Sequence, residues 1–373
     1  MSETRWIHRA GALFASLGTV AVLAATTLGA TARPWSPPAC DGPPLAPPAT
    51  ERASGTTWYR EAPRLVEGTL TGIRLTVGLA DVDRMRTLDL DAEAFAAGPF
   101  GDTVLVGTDD GHRSSLSLVS VRGDCSWPIA TSPDVIRRAT ISADGLTVYE
   151  MRVDRSTRAD LGIWRRPLDS SSEPDRVLEP ITADARFGRT FATEFTWSAD
   201  GEALAVRSCG ELACRVRVLD PVSGGHQLIA DPGLGDVIGL ADDRLVVHGA
   251  CRGLPCPVVS IPLDGGAPAV LEDAAGLATM VSLADGSSRV VLEVGRDGRS
   301  LRSISPDGRQ ATDLGRQPAD QRLLPSSRAA VTVALPPGWL AFDAPGEAAD
   351  GPPVGLVRDI VGGRAVRLDE VPR

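Results

Sequence analysis

The sequence predicts an all-β chain in which one four-stranded antiparallel sheet is repeated around a ring. Three observations predict it. First, the stretch Phe195–Gly225 breaks into short β-prone runs separated by tight turns, with no helical periodicity. Second, its turns recur in two series. Asp144-Gly145, Asp200-Gly201, Asp242-Asp243 and Asp285-Gly286 follow the first strand of a unit; Asp169, Asp220-Pro221, Asp264-Gly265 and Asp307-Gly308 follow the third. Third, beyond the first step of each series the spacing settles at about 43 residues, which matches the roughly 40–45 of one β-propeller blade. An irregular β-sandwich with common Asp-Gly turns is the competing architecture.

The unit is justified strand by strand. Phe195-Thr196-Trp197 is β-prone. Asp200-Gly201 is a turn, because both residues tolerate positive φ. Leu204 and Val206 share one face of the second strand, and Val216 and Val218 alternate with Arg215 and Arg217 in the third. A short fourth strand follows at His226–Ile229. Such a sheet leaves an apolar face bare unless it packs against copies of itself.

The segment Trp197-Ser-Ala-Asp-Gly-Glu-Ala-Leu-Ala-Val206 resembles the WS-P-DG repeat of TolB-type, WD-like β-propellers, and Leu161–Asp169 resembles the third strand and following turn of that repeat. The clear resemblance covers about residues 138–310. It implies the fold and not an activity, since the repeat serves binding scaffolds, envelope proteins and non-catalytic domains of peptidases.

From the start of the chain, Arg5 and Arg9 precede an uncharged run, Ala10–Ala32, that ends in Ala30-Thr31-Ala32. Residues 1–32 read as a signal peptide or as an uncleaved signal anchor. Residues 33–52 are a proline-rich linker that prefers extended polyproline II. Residues 53–373 are expected to form the propeller, most simply of seven blades; the weakly marked ends also allow six or eight. Early blade cores fall at Leu70–Val77 with Arg84–Leu90 and at Thr103–Val106 with Ser115–Val121; late ones fall at Ala329–Ala334, Trp339–Phe342 and Val354–Leu368.

The formal charge of −10 argues against nucleic acid as a partner. All 38 basic residues are arginine, which a GC-rich genome explains. Cys209–Cys214 and Cys251–Cys256 are both C-x4-C, at equivalent places between the second and third strands of consecutive units. Each pair suits a local disulfide, and Cys40 with Cys125 is a candidate third pair in an exported protein. The rival is a four-thiolate zinc site on Cys209, Cys214, Cys251 and Cys256. No cofactor or resident metal is expected.

No catalytic constellation stands out. His8, His112, His226 and His248 are scattered, and there is no G-x-S-x-G, H-E-x-x-H, phosphate loop or dinucleotide fingerprint. The informative feature is loop asymmetry. Short Asp-Gly turns share one end of the blades; the C-x4-C loops, Val153–Asp160 and Pro180–Thr193 share the other. The candidate binding face is therefore Asp154, Arg155, Arg158, Asp160, Arg186, Phe187, Arg189 and Phe191. The expected function is a binding scaffold in the cell envelope, tethered or exported, whose partner is an envelope protein or surface ligand and whose only membrane contact is the N-terminal segment. A propeller-type glycoside hydrolase or lyase is the alternative, and a sensor ectodomain acting through a partner is a third.

Overall fold

The computed structural model describes residues 36–41 and 57–370, apart from 67–68, 80–83, 92, 170, 181–190, 199, 211–213, 230–234, 242, 250, 252–253, 296–298, 318–321, 325–330, 334 and 344–353. The described strands form seven antiparallel sheets, six of four strands and the last of three.

Blade 1 holds β1 (Thr57–Val66), β2 (Thr69–Leu79) and β3 (Arg84–Asp91). Blade 2 holds β4 (Phe95–Phe100), β5 (Thr103–Asp109), β6 (Ser114–Ser120) and β7 (Cys125–Ser132). Blade 3 is β8 (Val135–Ile141), β9 (Thr147–Val153), β10 (Asp160–Pro167) and β11 (Asp175–Leu178). In blade 4 lie β12 (Phe191–Trp197), β13 (Leu204–Cys209), β14 (Cys214–Leu219) and β15 (His226–Ile229). Blade 5 follows with β16 (Val237–Ala241), β17 (Arg244–His248), β18 (Cys256–Pro262) and β19 (Ala269–Ala274). Next come β20 (Ala278–Ser282), β21 (Ser288–Val294), β22 (Ser300–Ile304) and β23 (Ala311–Arg316) of blade 6. The chain then gives β24 (Val331–Val333) to blade 1 and completes blade 7 with β25 (Trp339–Asp343), β26 (Val354–Asp359) and β27 (Ala365–Val366). The one helical element among the described residues is a 3-10 turn, Leu368–Glu370.

Packing explains why the sheets ring up. The buried apolar residues of the described chain fall into seven clusters, each shared by two consecutive blades. One of them, for instance, joins Leu118 of blade 2 to Ile141 of blade 3. The ring closes where Trp58 of blade 1 meets Val357 of blade 7. A middle strand is thus covered on both faces. On β13, Leu204 and Val206 face blade 3 while Ala205 faces blade 5, which is why its apolar residues run on instead of alternating. The sequence signature has a direct packing role. The Trp197 indole N–H donates to Thr140 Oγ1 at 3.1 Å, and its ring stands edge-on to Tyr149 at 5.5 Å across the blade 3–4 seam. The Asp-Gly turns form as predicted: Gly201 has φ +76°, and a Cβ there would lie 1.8 Å from the Ala143 Cβ of the neighbouring blade's turn.

First strands of successive blades touch one another, β4 with β8, β8 with β12, β12 with β16, β16 with β20, so they line the axis. Each of β4, β8, β12 and β16 shifts register against its second strand, at Ala97/Phe100, Ile136/Arg138, Ala192/Glu194 and Val237/Gly239. Closure uses an unusual path. Leu323 bridges Phe342 beside β25, β24 then pairs with Trp58–Arg60 of β1, and the chain returns to build the rest of blade 7.

All six cysteines are paired, Cys40–Cys125, Cys209–Cys214 and Cys251–Cys256. Sulfurs so bonded are not thiolate ligands, which removes the zinc alternative. Cys209 and Cys214 sit directly opposite in register on β13 and β14, with Cα atoms 4.0 Å apart. Beside the Cys40 bridge, Ala39 pairs in parallel with Ser126; Ser126 N–H donates to Pro38 O at 2.8 Å and Cys40 N–H to Ser126 O at 2.9 Å. This short stretch of the linker thus lies along the outer strand of blade 2, whereas a proline run is not expected to join a sheet. It can do so because Ala39 and Cys40 are not proline and Pro38 supplies only its carbonyl. No described helix is long and apolar enough to cross a membrane, and the apolar run 10–32 lies outside the described residues.

Candidate functional site

Antiparallel alternation divides the connections between two faces. One face carries the Asp-Gly turns, built alike: Asp144, Asp200 and Asp307 each accept a backbone N–H two residues on and a hydroxyl two residues back, from Ser142, Ser198 and Ser305. The other face carries the β9–β10 loop, the two disulfide-closed hairpins, the connections between blades, and the β1–β2 hairpin. A cleft of about 310 Å³ opens here, lined by Glu61, Ile73, Glu93, Ala94, Arg137, Arg138, Ala192 and Thr193. Four blades contribute to it.

The bulges of the axial strands build the cleft. In β8 the register shift spans Arg137, so two consecutive arginines, both exposed, reach the cleft from one strand. The shift in β12 does the same for Ala192 and Thr193. Arg138 is held by its own surroundings. Its guanidinium lies 5.6 Å from the Phe95 ring centroid and donates to Arg137 O at 3.2 Å. The two wall carboxylates are already engaged. Glu61 Oε1 accepts the Ala96 N–H at 2.8 Å, and Glu93 pairs with Arg158 at 3.5 Å.

The predicted face is partly brought to this cleft and partly redirected. Arg158 stands at the rim through Glu93, with φ +58°, a left-handed conformation uncommon for a residue that carries a Cβ. Arg155 points to the neighbouring blade: it donates to both oxygens of Asp109 at 2.8 and 2.6 Å and to Pro133 O at 2.9 Å. Those bonds, with the Ser114 hydroxyl and the Gly111 N–H, hold the Asp109 carboxyl down at about 2. Asp154 folds its own turn, accepting the Thr157 N–H and the Thr157 and Ser156 hydroxyls, which bring it to about 2.

Asp160 is not a loop residue. It opens β10 opposite Val153, half-buried, and desolvation pushes its carboxyl up despite the Gly162 N–H at 3.0 Å. Nearby Arg217 is buried too, and desolvation lowers it to about 10. Phe191 belongs to β12, paired with Cys209, because the strand begins earlier than its most β-prone residues indicate. Arg186, Phe187 and Arg189 lie outside the described residues. Sequence reasoning missed Arg137, Arg138, Glu61 and Glu93. The available signal was Val135-Ile136-Arg137-Arg138, where doubled apolar and doubled basic residues break strand alternation and mark a bulge.

Comparison with known proteins agrees on the fold. No family model and no curated relative matches the chain. Among solved structures, an oligogalacturonate lyase in complex with manganese superposes with a TM-score of 0.50, at 13% identity over 83% of this chain and 84% of that one. A prolyl endopeptidase gives 0.50 at 14% identity, over 86% of this chain and 51% of that one. TolB from Acinetobacter baumannii gives 0.43 at 13% identity, over 79% and 69%. The class is a seven-bladed β-propeller, the architecture that the TolB-type repeat implied. Likeness at this level of identity extends to fold and not to activity.

Proposed function

We propose that this protein is an extracytoplasmic binding scaffold that captures a protein partner on the face around the cleft. The observation that carries the reading is the difference between the faces. Near-identical Asp-Gly turns cover one, while residues from four blades, charged in three of them, converge on a 310 Å³ cleft in the other. The three disulfides support an oxidising compartment. Residues 1–32 as leader or anchor and 33–52 as linker complete the proposal of an envelope protein, with residues 10–32 the tether if the leader is retained.

A glycoside hydrolase or lyase remains the second reading, because a lyase shares the fold. Binding is preferred because Glu61 and Glu93, the cleft carboxylates, are engaged by a backbone N–H and an arginine and are not left to work as an acid–base pair. Among the described residues no group of three His, Cys, Asp or Glu is placed to hold a metal ion. A sensor ectodomain would use the same face.

The test is affinity capture from envelope extract, with reciprocal capture of the partner identified. Arg158→Glu and the double variant Arg186→Ala/Arg189→Ala should lose the partner, whereas Asp285→Ala on the opposite face should keep it. Loss with Asp285→Ala alone would put the function on the other face. Turnover of a polysaccharide by the purified protein would establish the second reading instead.

A further inference from the structure

We propose that the cleft takes an acidic side chain from an extended, partly apolar segment of the partner protein, with Arg138 as the receiving group. This deepens the binding reading and rests on it. Arg138 is exposed, lines the cleft, and has no carboxylate partner among the described residues. Stacking on Phe95 and the bond to Arg137 O fix its guanidinium, so little freedom remains to be lost when a carboxylate docks against the planar fork. The strand bulge brings Arg137 to the same cleft, adding a second positive charge. Glu61 and Glu93 do not satisfy Arg138, since each is turned to another donor.

The surroundings choose a peptide over an acidic saccharide. None of the described lining residues is aromatic, so these residues offer no platform for a pyranose ring. The hairpin that supplies Glu61 and Ile73 instead continues into an apolar tip: Leu65, Val66 and Leu70 are each about half exposed. Leu70 lies three residues before Ile73 on β2, and Leu65 four residues beyond Glu61 on β1. An acidic residue in the cleft with apolar residues along the hairpin matches charge to charge and apolar to apolar surface over a single short segment.

The experiment uses the full chain and three probes: a decapeptide of alternating leucine and glutamate, its leucine–glutamine counterpart, and a uronic-acid tetrasaccharide. Binding is read by isothermal titration at low salt. The glutamate peptide should bind at least tenfold more tightly than the glutamine one. Arg138→Ala should remove at least tenfold of that affinity with unchanged melting temperature, and Arg138→Lys should recover only part of it. Leu65→Ser/Leu70→Ser should cost several-fold. Equal binding of the two peptides, unchanged binding by Arg138→Ala, binding of the tetrasaccharide alone, or binding of no probe would each overturn the proposal. If Arg158→Glu abolishes partner capture while Arg138→Ala does not, the binding face stands and the carboxylate site falls.

Discussion

The seam between blades 2 and 3 and the seam between blades 5 and 6 solve the same packing problem with different chemistry. At the 5–6 seam, Ile238, Val246, Val258, Val290 and Leu292 close an apolar interface, and the ion pair across it, Arg302–Glu272 at 2.8 Å, sits half-exposed at the rim. The 2–3 seam has an apolar cluster too, but it also buries charge. Glu150, with no exposure, receives Arg152 at 2.6 Å on one oxygen and Arg166 at 2.6 Å on the other; the arginines are 5% and 7% exposed. Arg152 also lies over the Trp164 ring at 4.7 Å. Further toward the cleft, Asp109 takes Arg155, and the Ser114 hydroxyl, which donates to Asp109, accepts the Ile136 N–H at 3.0 Å. An apolar seam holds two blades together. The Glu150 bonds brace blade 3 itself, while Arg155–Asp109 and Ile136–Ser114 cross the seam and fix how the two blades sit; β8, which carries Arg137 and Arg138, starts there.

The largest effect should come from breaking the buried triad. Glu150→Ala strands two buried guanidinium groups and should cost about 3–5 kcal/mol in chemical denaturation. A variant with Glu150→Leu, Arg152→Met and Arg166→Met should recover most of that loss if packing volume is kept. Recovery of stability with weakened partner capture would show that the charges serve positioning and not cohesion.

A smaller effect belongs to Asp109. Its carboxyl titrates near 3.8 unfolded and about 2 in the protein. The stabilisation is therefore present above pH 4 and is lost as pH falls through 2, by roughly 2 kcal/mol in total. Arg155→Ala should flatten that acid limb in a pH series of melting temperatures; an unchanged limb would remove Asp109 from the account. The smallest effect is expected at the other seam. Arg302→Ala should cost under about 1 kcal/mol, and less as salt is raised.

Much of the fold could be read from the sequence because a blade is a local object. Asp-Gly turns, the two C-x4-C pairs and short β-prone runs all act within a few tens of residues, and each appears where its chemistry placed it. β1 and β4 were harder to see. Gly98 and Pro99 interrupt β4, and Pro63 sits inside β1, so local propensity argues against strands that tertiary packing imposes. The site was legible only as a face. Arg155 and Arg158 lie three residues apart in one loop, yet one is bound to Asp109 and the other to Glu93, and nothing local distinguishes them. Arg137 and Arg138 owe their placement to a bulge whose partner strand lies on the far side of a turn.

The borrowed strand β24 has a consequence for biosynthesis. β1 presents its axial edge to nothing until Val331–Val333 has been translated, so blade 1 waits through the synthesis of blades 2 to 6 with an unpaired ladder. Until then that open edge, at Trp58–Arg60, is the place where the growing chain would pair with the wrong neighbour.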